Sequence, residues 1–101
     1  MSSILNLISD FYKQIKDYAR AVDIKNRFEL FSKTLDLCSY NLDDDSRKDL
    51  INSKYVILTK DIEELNKILK SYKNKGSLLE EKIKNIRDEL VEESIRIFLL
   101  R

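Results

Sequence analysis

The chain has no histidine, no proline and no tryptophan, and only one glycine and one cysteine in 101 residues. Each absence removes a class of chemistry. Without histidine there is no usual general base, no Ser-His or Cys-His nucleophile system, and no ordinary transition-metal site. A single glycine cannot form a glycine-rich loop that cradles phosphate. A lone cysteine, Cys38, cannot close a disulfide within the chain. No stretch approaches the roughly 18 to 20 apolar residues of a membrane span. The opening "MSSILNLISDFYK" lacks the basic start of a signal peptide, and Asp10 interrupts its apolar run. These features together predict a non-enzymatic chain of a reducing compartment, such as the cytoplasm, with no cofactor, no metal and no small-molecule substrate.

Charge of one sign is also missing. The net charge is +1 overall. It is +1 over residues 1–42, +1 over 43–76 and −1 over 77–101. No segment is basic enough to hold nucleic acid by charge alone. The nearest candidate is a lysine cluster at Lys67, Lys70, Lys73, Lys75, Lys82 and Lys84. Lysines near a helix C-terminus complement the macrodipole and solvate a turn, which accounts for them without a ligand. The acidic run Asp43–Asp45 is no calcium loop. A loop starting at Asp43 would place Lys48 where glycine is needed and Lys54 where the bidentate Glu belongs. It reads instead as capping oxygens at a helix start.

What is present is helix. Apolar residues are 43% and charged residues 37% of the chain, a composition of long amphipathic helices. Ile4, Ile8, Phe11, Ile15, Tyr18 and Val22 form one stripe. Ile24, Phe28, Phe31, Leu35, Cys38 and Leu42 form a second, rotated about 200° from the first. Either the chain breaks near Asp23, or one helix over about 3–41 carries a different apolar face on each half. Cys38, on the second stripe, is expected as a small core residue. Ile51, Tyr55, Leu58, Ile62, Leu65, Leu69 and Tyr72 then keep a heptad seam without a miss.

Gly76 reads as the residue that ends a helix over about 44–75, and Ser77 with Glu80 as a capping box opening one over about 78–100. Leu79, Ile83, Ile86 and Leu90 continue the pattern. The expected fold is an all-α, antiparallel three- or four-helix bundle in one domain, with coiled-coil-like seams and a hairpin 45–75/78–101 joined by a near-minimal loop. Six acid–base pairs at i, i+4, among them Asp23–Arg27, Glu80–Lys84 and Glu92–Arg96, support the helices and say nothing of function.

Helices of about 40, 30 and 24 residues cannot all cover one another, so some apolar length must be buried elsewhere. The tail "SIRIFLLR" is apolar all round, with Ile95, Ile97, Phe98, Leu99 and Leu100. Either that end docks on the core or on a second copy, or the native chain continues beyond it. These five residues, with Ile24, Phe28 and Phe31 at the phase switch, are the expected protein contacts. The function they imply is a helical interaction, adaptor or assembly module that oligomerises or binds a partner protein. A factor that masks an enzyme surface would look the same. The alternative is a binder of nucleic acid or another acidic surface through the tip lysines Lys70, Lys73, Lys75, Lys82 and Lys84.

Overall fold

A computed structural model describes residues 2–72 and 76–100. Three helices pack against one another as an all-α bundle: α1 (Ser2–Cys38), α2 (Asp44–Lys70) and α3 (Leu78–Leu100). A short 3-10 turn, Ser39–Asn41, follows α1. Side-chain contacts give the order of packing. Lys13 meets Ser71, Arg20 meets Glu64 and Asp36 meets Lys54, so α1 and α2 are matched in opposite chain order. Tyr18 lies by Lys82 and Lys25 by Glu89, so α1 and α3 are matched in the same order. The result is a rod of 64 × 20 × 16 Å.

α1 runs without a break through Asp23. Asp23 itself supports continuity, since its carboxylate accepts from Arg20 on one side and forms an ion pair with Arg27 on the other, both at 3.3 Å. Immediately beside it, Ala21 and Ile24 are completely buried. They join Phe28, Leu58, Leu65, Ile83, Ile86, Leu90 and Ile97 in one core that all three helices share. Tyr18 and Val22 pack against the edge of that core. The change of phase near Asp23 therefore marks where the apolar stripe of α1 passes onto the face that α2 and α3 cover. Each fully buried Ile or Leu here contributes about 1.5–3 kcal/mol relative to exposure.

The turn into α2 is built on Asp43. Its carboxylate accepts from the Ser46 backbone N–H at 2.8 Å, which caps the helix. The turn between α2 and α3 differs from the expectation. α2 stops at Lys70, with Ser71 as its cap in ordinary right-handed geometry, so Gly76 does not end it. The N–H groups of Ser71 and Tyr72 donate to the carbonyls of Ile68 and Leu69, at 3.2 and 3.1 Å. Such i to i−3 bonds tighten the last turn. They leave Tyr72 just past the helix, where its ring still covers the core. The near-minimal loop expected falls in part on residues 73–75, which lie outside the described residues.

Gly76 does take positive φ, +72°. It does so on the approach to α3, one residue before the cap. The Glu80 backbone N–H donates to Ser77 Oγ at 3.1 Å, and the Glu80 carboxylate accepts from the Gly76 N–H at 3.0 Å. The capping box thus reaches back one residue further than the usual reciprocal pair. Glu80 is buried by this fold-back, and Oε1 has no hydrogen-bond partner among the described residues.

Candidate interaction surfaces

No described helix is long and apolar enough to cross a membrane, and no cluster of three metal-binding side chains occurs among the described residues. What the molecule presents instead is surfaces. α1 has 37 residues, against 27 in α2 and 23 in α3. Its excess length lies at the N-terminal end. The first α1 side chain joined to another helix, among the described residues, is Lys13. Its ammonium donates to Ser71 Oγ at 2.8 Å and sits 4.4 Å from the centre of the Tyr72 ring. Residues 2–12 continue past this point as a helical arm of roughly 16 Å at 1.5 Å per residue.

The arm is anchored at its base by a polar cluster. Asp17 accepts from the Tyr72 hydroxyl at 2.6 Å and from Lys13 at 3.1 Å. Burial, then the bond to Asp17, pushes the Tyr72 phenol well above its ordinary pKa, so it stays a donor. One turn further, the Arg20 guanidinium donates to Glu64 at 2.8 Å, and Lys25 pairs with Glu89 at 2.7 Å. These bonds fix α1 against both partners and set the direction in which the arm leaves.

Beyond the base, the arm's apolar face is open among the described residues. Ile4, Leu5, Leu7, Ile8, Phe11, Tyr12 and Ile15 are 46–68% exposed. At about 100° per residue, the stripe Ile4–Ile8–Phe11–Ile15 points about 140° away from the core side chains Ala21, Ile24 and Phe28. The opposite side of the arm carries Ser3, Asn6, Ser9, Asp10 and Lys13. The arm is a cleanly amphipathic helix whose apolar face looks away from its own core. Leu7, Ile8, Phe11, Tyr12 and Ile15 border a shallow depression of about 460 Å³.

The other end of the rod is mixed. Of the expected contacts in α3, Ile97 turns inward and is buried. Phe98 is more than half exposed, with its ring 6.1 Å from that of Tyr55. Ile95, Leu99 and Leu100 are exposed, and Leu99 reaches 77%. Leu100 edges a groove of about 320 Å³ whose floor includes Ile51 and Ile97, beside the Lys54–Asp36 ion pair. The contacts expected at the phase switch are placed differently. Ile24 and Phe28 lie in the core and present no outer surface, because α2 and α3 close over them. Phe31 is half-buried at a groove with Ile57 and Asp61. Cys38, expected in the core, is exposed at the end of α1.

Three of the tip lysines, Lys70, Lys82 and Lys84, lie among the described residues. Lys70 is exposed in the last turn of α2. Lys82 lies 5.8 Å from the Tyr18 ring, and Lys84 is 4.0 Å from Glu81. Lys73 and Lys75 lie outside the described residues.

The arm was in the sequence, as the first apolar stripe, and the unequal helix lengths required some apolar length to be buried elsewhere, but periodicity did not single out residues 4–15, which the expected contacts omit. Comparison with family models, with curated proteins and with solved structures returns no match, so any function must be argued from these surfaces.

Proposed function

We propose that this chain is a non-enzymatic helical interaction or assembly module, and that the N-terminal arm of α1 is its principal contact. The observation that carries the reading is the arm's apolar face, open along residues 4–15 on a helix hydrogen-bonded at its base to Ser71 and Tyr72. Its seven large apolar side chains present on the order of 900 Å² of accessible surface. That exceeds the roughly 300–600 Å² of the largest patch on a typical monomer. It is close to the ~800 Å² that each side contributes to a standard protein interface. Aromatic residues at its centre, Phe11 and Tyr12, are of the types enriched in such interfaces. The exposed end of α3, with Phe98, Leu99 and Leu100, is a smaller secondary surface.

The test is site-specific photocrosslinking in cells of the native host. A photoreactive residue at Phe11 is expected to give a discrete protein adduct. The same residue at Asn85, exposed on the outer side of α3, is expected to give none. Equal labelling from both positions, or none from Phe11, would overturn the reading.

A further inference from the structure

We infer that the occupant of the arm is the arm of a second copy, packed in the opposite direction to form a two-fold dimer. The inference rests on the interaction reading above and adds the identity of the partner. Three properties of the arm favour a copy of itself.

The first is area. Two arms together expose on the order of 1,800 Å² at these seven residues, of which a helix pair covers the seam side, so the buried area approaches the lower end of the range of about 1,200–2,000 Å² typical of stable, specific interfaces.

The second is pattern. Ile4, Ile8, Phe11 and Ile15 alternate as the two seam positions of a heptad. About a two-fold axis between Ser9 and Asp10, Ile8 faces the partner's Phe11 and Ile4 faces the partner's Ile15. Every seam residue meets a seam residue, and the same patch serves both chains, as an isologous interface requires. Ile15 is the most covered of the four, and the partner's Ile4, at the end of its arm, would cover what remains open of it.

The third is charge. Residues 2–17 carry Asp10, Asp17, Lys13 and Lys16, and so sum to zero. Two copies do not repel. In the same register Lys13 falls level with the partner's Asn6 and Lys16 with its Ser3, so no like charges are opposed. The opposite direction also separates the two helix N-termini. Neither has an acidic residue in its first turn to offset the positive end of the dipole. A bilayer surface is the less suited partner. Helices that lie on membranes carry a polar face rich in Lys and Arg, whereas this one is mainly Ser and Asn with balanced charges.

The experiment is sedimentation velocity on the purified chain over a range of micromolar concentrations. The expected result is a reversible species of twice the 12.0 kDa chain mass. Ile8→Lys with Phe11→Lys is expected to weaken it roughly a hundredfold or more, with helicity by circular dichroism unchanged. Ile95→Lys with Leu99→Lys, at the far end, is expected to leave it intact. In a Cys38→Ser background, Ile8→Cys mixed with Phe11→Cys should crosslink on oxidation far better than Ile8→Cys alone.

A monomer at every concentration would overturn the inference. If that monomer still gives the Phe11 adduct with a different protein, the interaction reading stands and only the second copy is lost. If it binds phosphatidylcholine–phosphatidylserine vesicles through the arm and gives no protein adduct, both fail. A dimer indifferent to the Ile8 and Phe11 changes would place the contact elsewhere and overturn the inference, as would preferential crosslinking of Ile8→Cys to itself.

Discussion

The two ends of the rod are both apolar, yet they were announced in opposite ways. The end of α3 has no polar side in "RIFLLR", a pattern that predicts a contact. The start of α1 has a regular amphipathic stripe, a pattern that predicts a core. In the folded chain the end of α3 is partly satisfied, because Ile97 is buried and Phe98 leans towards Tyr55. At the start of α1 no side chain of the stripe is buried from Ile4 to Ile15, although Ile4, Ile8, Phe11 and Ile15 look more core-like on paper. The lesson is that a stripe fixes which face of a helix is apolar. Whether a neighbour is there to cover it depends on relative helix length and on where the turns fall.

The largest effect should separate the covered seam from the open one. Leu65→Ala removes a completely buried side chain and should cost about 2–5 kcal/mol in urea unfolding. Ile8→Ala, on the same spacing in α1, should change stability by no more than about 0.5 kcal/mol at concentrations that keep the chain monomeric. A cost at Ile8 comparable with that at Leu65 would mean the arm folds back on its own body, and the comparison would collapse.

Within α3 the same contrast can be drawn two residues apart. Ile97→Ala should cost about 2 kcal/mol or more, and Leu99→Ala less than about 0.5 kcal/mol, in the same assay. If the two costs match, the last turn is packed as a unit and "RIFLLR" is core, not surface.

These contrasts show what could be read before the fold was seen. The seam of α2 was legible throughout. Ile51, Leu58, Ile62, Leu65, Leu69 and Tyr72 are all core residues or packed against the core. They lie in the middle of the chain, where two helices are certain to flank them. The cap at Asp43 was legible too, because it is local chemistry. The fate of Ile4 to Ile15 and of Cys38 was not. Both lie near the ends of α1, where coverage depends on three lengths at once. Small differences were also invisible. Asp23 does pair with Arg27, but Arg96 meets Glu93 at 2.9 Å where Glu92 was expected, and Glu80 turns back to Gly76. A spacing of four permits a pair, and competing partners decide it.

Gly76 sharpens the comparison, because it is open and yet should not be tolerant. A Cβ built there would meet no atom within 4 Å, so nothing clashes. Its φ of +72° is the obstacle. Gly76→Ala should cost about 1–2 kcal/mol. Gly76→Asn should cost visibly less, since Asn tolerates the left-handed region. Equal costs would indicate that steric filling, and not backbone conformation, holds this position.

The smallest effects concern two aspartates of the same segment, one open and one partly covered, whose ionisation should act in opposite directions. The Ser46 backbone N–H and hydroxyl favour the charged form of exposed Asp43 and lower its pKa below the ordinary 3.8. Its contribution to stability is therefore complete above pH 3.8 and is lost as pH falls through the lower folded value. Asp61 lies beside Phe28, Phe31 and Ile57, and burial raises its pKa despite the opposing pull of Arg27. Its contribution is complete below 3.8 and is lost as pH rises through the higher folded value. Thermal unfolding of Asp61→Asn should thus gain on the unsubstituted chain between acid and neutral pH. Asp43→Asn, which keeps a capping oxygen but no charge, should fall behind over the lower part of the same interval. Parallel curves for the two variants would mean that coverage has no bearing on either carboxylate. The groove at Phe31 would then be as open to water as the helix cap, and α1 would be loosely seated along its length and not only at its arm.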